Sequence, residues 1–195
     1  MITARAVDKH VEQLYEVLRR LHSSLANANI PYRVVGGLGV FFQVSAKDPL
    51  AARLTRDVDV AIDRKDLKRI AEAVQRSGFR YRHAAGVDLL VDTTQPKAHS
   101  AVHFVFVREK VRPDYVEPVP DFSQPTVTEE GILLAPVADL VRMKLTSLRL
   151  KDKVHLLDLD SVGLITPEIE ADLPDVLRQR LAQVRKEEAQ STGAE

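Results

Sequence analysis

The chain has 195 residues, 45% hydrophobic and 29% charged, with Lys plus Arg and Asp plus Glu balanced at 28 each; this suits one folded domain with a substantial core. The absence of cysteine excludes a disulfide framework and a thiolate zinc site, and the charge balance means that any nucleic-acid contact must come from a local patch. No run approaches the roughly 18 apolar residues of a membrane span, and the N-terminal MITARAVDKHVEQLYEVL has no apolar signal core, so the expectation is a cytoplasmic protein without membrane contact.

Residues 5–28 carry Val7, Val11, Leu14, Leu18, Leu21 and Leu25 at three- and four-residue spacing, which predicts an amphipathic helix ended by Asn27, Asn29 and Pro31. Residues 32–35 are a short β-prone run stopped by Gly36 and Gly37. Phe41, Phe42 and Val44 predict a buried helix, and residues 45–54, with Asp48-Pro49 inside them, a loop. Residues 57–62 alternate, which places Val58, Val60 and Ile62 on one face of a strand and Asp57, Asp59 and Ala61 on the other. Leu67, Ile70, Ala71 and Val74 mark a further helix with Gly78 as its C-cap. Two strands follow at 87–91 and 101–107, separated by the turn-forming Thr93-Thr94-Gln95-Pro96.

Residues 112–136 are rich in proline and read as an ordered connection with one or two short strands. Pro136 suits the start of a helix through Leu150, since proline costs no hydrogen bond in the first turn. A second helix is expected over 152–162, and Pro167 opens a third region that becomes a charged, frayed end at 185–195.

The chemistry concentrates in residues 32–62. Two carboxylates at i and i+2 on one strand lie about 7 Å apart, close enough to share a cation. Oxygen ligands without cysteine select a hard ion, Mg²⁺ or Mn²⁺, of the kind that bridges the phosphates of a nucleoside triphosphate. An ordinary strand with its polar face in water fits the same short pattern. Gly36-Gly37 alone reads first as a tight turn; its functional alternative is a place where a triphosphate approaches N–H groups at a helix N-terminus. The order strand, Gly-Gly, helix, loop, Arg-x-Thr-x-Asp-x-Asp, helix is more specific than either half.

VVGGLGV followed by RLTRDVDVAI resembles the Gly-Gly and Asp-x-Asp motifs of the nucleotidyltransferase superfamily, whose catalytic core is similar to that of DNA polymerase β. With Arg53, Thr55, Asp57 and Asp59 the pattern is most similar to the bacterial abortive-infection type nucleotidyltransferases, many of them toxins of toxin–antitoxin pairs. The resemblance covers residues 32–107 and extends more loosely through Met143, Lys144 and Leu145. It implies an α+β fold, a mixed β-sheet flanked by helices, in a single domain. An N-terminal helix (1–31), a core (32–111), a connection (112–136) and a helical C-terminal part (137–195) would make it up. It further implies that Asp57 and Asp59 bind Mg²⁺ or Mn²⁺, that Gly36, Gly37 and Arg56 meet the nucleoside triphosphate, and that Lys144 contacts the nucleotide. A nucleoside monophosphate would pass to a hydroxyl acceptor, an RNA 3′ end being one, and an antitoxin protein would be a partner. The alternative is a module that keeps the fold and binds nucleotide or a protein partner without turnover.

Two departures qualify the resemblance. Leu38 follows the glycines where serine is common, so one phosphate contact would fall to backbone alone. The third carboxylate expected on a later strand is missing: Ala101-Val102-His103-Phe104-Val105 offers His103, which suits either a general base or a satisfied core histidine. Asp88 competes for that position, and a solvent-facing edge location fits it equally.

Lys144 lies on a stripe with Val137, Val141 and Leu148, which places an ammonium among buried positions. A bound triphosphate, a snorkelling stem or a pair with Asp158 would each accommodate it. Arg142, Arg149, Lys151 and Lys153 form a local basic cluster that could meet an RNA backbone or line a solvated helix face.

Overall fold

A computed structural model of the chain describes residues 4–55, 57–94 and 101–192. Its first element, α1 (Ala4–Asn27), buries Leu14, Leu18, Leu21 and Leu25 almost completely. Each such leucine contributes about 1.5–3 kcal/mol, so the leucine stripe, and not intrinsic propensity, holds this helix on the sheet. After β1 (Arg33–Val35) the chain enters α2 (Gly36–Lys47) without an intervening loop. The helix therefore begins on the first glycine and takes in residues 45–47, where the local signals predict a loop. Asp48 ends it, donating its N–H to the carbonyl of Val44.

Then come β2 (Val58–Ile62), α3 (Leu67–Ala73), β3 (Phe79–Ala84), β4 (Val87–Asp92) and β5 (Val102–Phe106). Helix α3 ends at Ala73 with Val74 as its C-cap, four residues before the glycine expected there, and Gly78, at φ +78°, closes the short 3-10 turn that follows. Strand β3 was not expected. Its sequence FRYRHA buries Phe79 alone, because an edge strand needs no alternating apolar face, and the signal for it lies in the Ala85-Gly86 hairpin turn, both residues at positive φ. Short strands β6 (Thr126–Val127) and β7 (Leu133–Leu134) make up the two-strand connection, followed by α4 (Val137–Ser147), α5 (Leu150–Ser161), α6 (Pro167–Ala171) and α7 (Asp175–Thr192). Pro136 sits at the N-cap of α4, one residue before the helix.

The strands form one mixed sheet in the order β3-β4-β5-β2-β1-β7-β6. β2 runs parallel to β5 and β1 parallel to β7, and the other neighbours are antiparallel. Val58, Val60, Ile62, Val102 and Phe104 face a core shared with α1 and α3. Ala61 and Val35 face a second core built with α4, α5 and α7, to which Leu140, Leu145, Leu156, Leu159, Leu177 and Leu181 contribute. Helix α2 lies between, giving Leu38 and Phe42 to the first core and Val40 and Val44 to the second. This is the α+β fold expected, a mixed sheet flanked by helices with a helical C-terminal part.

The C-terminal end differs from expectation. α7 continues as helix through Thr192, because Leu177, Leu181 and Val184 are buried and Arg185 is clamped by Asp160 at 2.8 Å and Glu170 at 2.7 Å. Among the described residues no helix is long and apolar enough to cross a membrane.

Candidate active site

Pairing of β1, β2, β5 and β4 sets Val35, Asp59, His103 and Leu89 in one row across the sheet. Residues paired in register point to the same face, so Asp59 and His103 share the side covered by the C-terminal helices. Asp57 precedes β2 by one residue, on the same alternation.

The glycines are required by this row. Gly36 has φ +67°, and a Cβ there would lie 2.1 Å from Asp59 Oδ2; the left-handed backbone disfavours other residues, and a Cβ would fit only if the aspartate side chain shifted. A Cβ on Gly37 would lie 2.8 Å from Thr55 Oγ1 and 3.2 Å from His155 Cε1. The turn thus serves close approach, with a carboxylate resting on the first residue of α2. Val35, the N-cap, supplies no side-chain hydrogen bond to the helix, so no capping side chain competes with an anion for the first-turn N–H groups. Leu38 is buried in the first core, which leaves only backbone to serve as phosphate contact at that position.

Gly36, Asp57, Asp59, His103, Lys144, Arg149 and Lys151 open onto one cavity of about 530 Å³. Asp57 and Asp59 are half-exposed, and each faces a basic side chain at more than hydrogen-bond distance. Lys151 Nζ lies 3.8 Å from Asp57 Oδ2 and His103 Nδ1 lies 3.7 Å from Asp59 Oδ1. Asp59 foremost, and then Asp57, raise the His103 pKa above its ordinary value, against the opposing effect of burial and of Lys151.

Lys144 is buried and donates to Asp152 Oδ1 at 2.9 Å. Burial, opposed by the charges of Asp152 and Asp59, lowers its pKa. Burial works on Asp152 in the raising direction, but Arg149 Nε at 2.7 Å, Lys144 and Ser147 Oγ at 2.8 Å outweigh it and hold the carboxyl well below its usual range. Asp152 receives more donors than Lys144 has acceptors, so the carboxylate is ionised and the pair is ionic. The partner of Lys144 is therefore Asp152 and not Asp158, which takes Arg53 Nε at 2.8 Å. The short α4–α5 turn, with Leu148 in the left-handed region, brings Lys144 beside the first turn of α5. Sequence reading overlooked Asp152; the signal for it is a buried ammonium that needs an acid at the start of the next helix.

His155, given no role from sequence, stands behind Gly37. Burial, with the charge of Lys144 second, pushes its pKa down to about 4. Its Nδ1 is buried with no hydrogen-bond partner among the described residues.

Asp88 is not brought to the aspartate pair. Leu89, not Asp88, is in register with His103, so Asp88 projects from the opposite face, where it is buried and accepts from Tyr81 Oη and from His83 Nδ1 at 2.9 Å. It still contributes to the lining of the same cavity. The basic cluster is also internally engaged: Arg142 pairs with Asp172, Arg149 with Asp152 and Lys153 with Glu187. Arg56 lies outside the described residues.

The donor set fits a hard divalent cation. The carboxylate of Asp59 occupies space that only glycine at 36 leaves open, and both carboxylates face the cavity. Among the described residues no group of three or more His, Asp or Glu is gathered to hold a metal. Asp57 and Asp59 would therefore be the two protein ligands, with water and phosphate oxygens completing the shell, as Mg²⁺ accepts.

No family model matches the chain, and no curated protein matches it. Among solved structures the chain is similar to the crystal structure of ANT(2'')-Ia in complex with adenylyl-2''-tobramycin, with TM-score 0.50 and 12% identity over 84% of this chain and 94% of that one. It is also similar to the solution structure of the antibiotic-resistance factor ANT(2'')-Ia, with TM-score 0.47 and 10% identity over 91% and 92%. The first likeness is one of fold: this chain shares the architecture of ANT(2'')-Ia. It carries no link to the abortive-infection toxins.

Proposed function

We propose that the chain is a divalent-metal-dependent nucleotidyltransferase that moves a nucleoside monophosphate from a nucleoside triphosphate to a hydroxyl acceptor. The observation that carries this reading is the contact of Asp59 with Gly36: a carboxylate seated on an uncapped helix N-terminus, beside Asp57, at the floor of a cavity that also holds Lys144. Asp57 and Asp59 would hold Mg²⁺ or Mn²⁺. When bound, such an ion neutralises phosphate charge as it develops during in-line displacement. Gly36 and Gly37 leave the first-turn N–H groups of α2 open to the phosphates, and Lys144, held in place by Asp152, adds a fixed positive charge to the same wall. His103 takes the place beside Asp59 where a third acid is expected, and its ring borders the space an acceptor hydroxyl would enter.

We infer a small hydroxyl acceptor in preference to RNA, because Arg142, Arg149 and Lys153 are each committed to an internal carboxylate. Label transfer from radiolabelled nucleoside triphosphates in Mg²⁺, offered both small hydroxyl compounds and bulk RNA, tests both points. Transfer to RNA alone would restore the RNA-modifying, toxin-like reading. The second reading, a nucleotide-binding module without turnover, is favoured by the missing third carboxylate; calorimetry showing Mg²⁺-dependent nucleotide binding with no transfer to any acceptor would establish it.

A further inference from the structure

Three basic side chains line the cavity from the α4–α5 side, and they are not equivalent. Lys144 and Arg149 are both bound to Asp152, which is fully buried. Lys151, in the first turn of α5, is 56% exposed, and its charged partner among the described residues is Asp57 at 3.8 Å. That distance is too long for a hydrogen bond and the pair is open to solvent, so the contact is weak and readily exchanged.

Asp57 is also one of the two carboxylates that would hold a divalent cation. An ammonium and a metal ion cannot both sit against one carboxylate without mutual repulsion. We propose that Lys151 is an exchangeable counter-ion: its ammonium covers Asp57 while the site is free of metal, and on metal binding it turns to the polyphosphate end of the nucleotide. Its place supports the second half of the role, because Lys151 lines the same cavity as Gly36 and the fixed Lys144. A flexible four-carbon stem ending in a compact charge suits a group that changes partners, whereas the fork of Arg149 is already locked on Asp152. The inference rests on the nucleotidyltransferase reading.

The test uses the full chain and two probes, Mn²⁺ alone, followed by its paramagnetic resonance, and inorganic pyrophosphate with Mn²⁺ present. Lys151→Gln should bind Mn²⁺ about fivefold more tightly than wild type, through loss of a competing unit charge at about 4 Å, and should bind pyrophosphate about tenfold more weakly. Its thermal melt should match wild type, since the pair is exposed. Unchanged Mn²⁺ affinity in Lys151→Gln overturns the counter-ion role, and unchanged pyrophosphate affinity overturns the phosphate role. Asp57→Asn separates the two levels: if that variant binds Mn²⁺ like wild type, the metal site itself is wrong and Lys151 falls with it. If Asp57→Asn loses Mn²⁺ while Lys151→Gln behaves as wild type with both probes, only the role of Lys151 fails.

Discussion

Two groups of carboxylates in this molecule are held in opposite ways. In the helical layer, Asp152, Asp160 and Glu187 meet their cations at 2.6–2.9 Å, and Asp152 collects donors from Lys144, Ser147 and Arg149 at once. Beside the cavity, Asp57 and Asp59 face the basic side chains of Lys151 and His103 at 3.8 and 3.7 Å. Saturated carboxylates tie elements together; loosely partnered ones, with Asp59 pressed against Gly36, are available to a ligand. Substitutions in the two groups should therefore fail differently.

The largest effect should come from the saturated group. Asp152→Ala leaves Lys144 buried without its partner, a loss of about 3–5 kcal/mol, which for a chain of this size lowers the melting temperature by roughly 10 °C; calorimetry or a circular-dichroism melt reads it directly. Asp57→Asn should do the reverse, lowering label transfer about 100-fold or more while the melt stays near wild type. If both variants lost activity in proportion to stability, the distinction between the groups would collapse.

His155 gives a pH signature on the structural side. Burial lowers its folded-state pKa to about 4 from an unfolded value near 6.5, so between these values the unfolded chain binds the extra proton. Stability is then fully present above about pH 6.5 and falls as the pH drops toward 4, by roughly 3 kcal/mol in all. Melts at pH 7 and pH 4.5 should show a smaller acid loss for His155→Gln than for wild type. Asp152 adds to the acid sensitivity at lower pH: its depressed pKa contributes stability above the unfolded carboxylate value that fades as the pH falls further.

A modest loss of stability, with a clear effect on activity, is expected for Gly36→Ala. The left-handed backbone costs about 1–2 kcal/mol, and the new methyl must displace the Asp59 carboxylate. Transfer should drop far more than the melt, and a drop confined to the melt would mean that the glycine serves the turn alone.

Much of this was legible from residue order. The period-two alternation at 57–62 places both aspartates on one face, and the leucine spacing of α1 marks its buried stripe; each depends only on local backbone geometry. The start of α2 on Gly36 and strand β3 were not legible, because a helix can begin wherever tertiary packing lets it and an edge strand needs no apolar alternation. Asp88 and His103 were indistinguishable as candidates, since one residue of register decides which face a strand side chain occupies. The pairing of Leu89 with His103 turns Asp88 away.

By itself, then, the sequence determined that two carboxylates share a strand face after a glycine turn and that an ammonium lies on a buried helical stripe. Tertiary structure alone decided that Asp59 rests on Gly36, that His103 stands beside it, that Asp152 anchors Lys144 and that Lys151 stands 3.8 Å from Asp57. The reason is that the first set follows from spacings within a single element. The second depends on strand register and helix docking, where burial of two cores across long sequence separations selects which side chains meet.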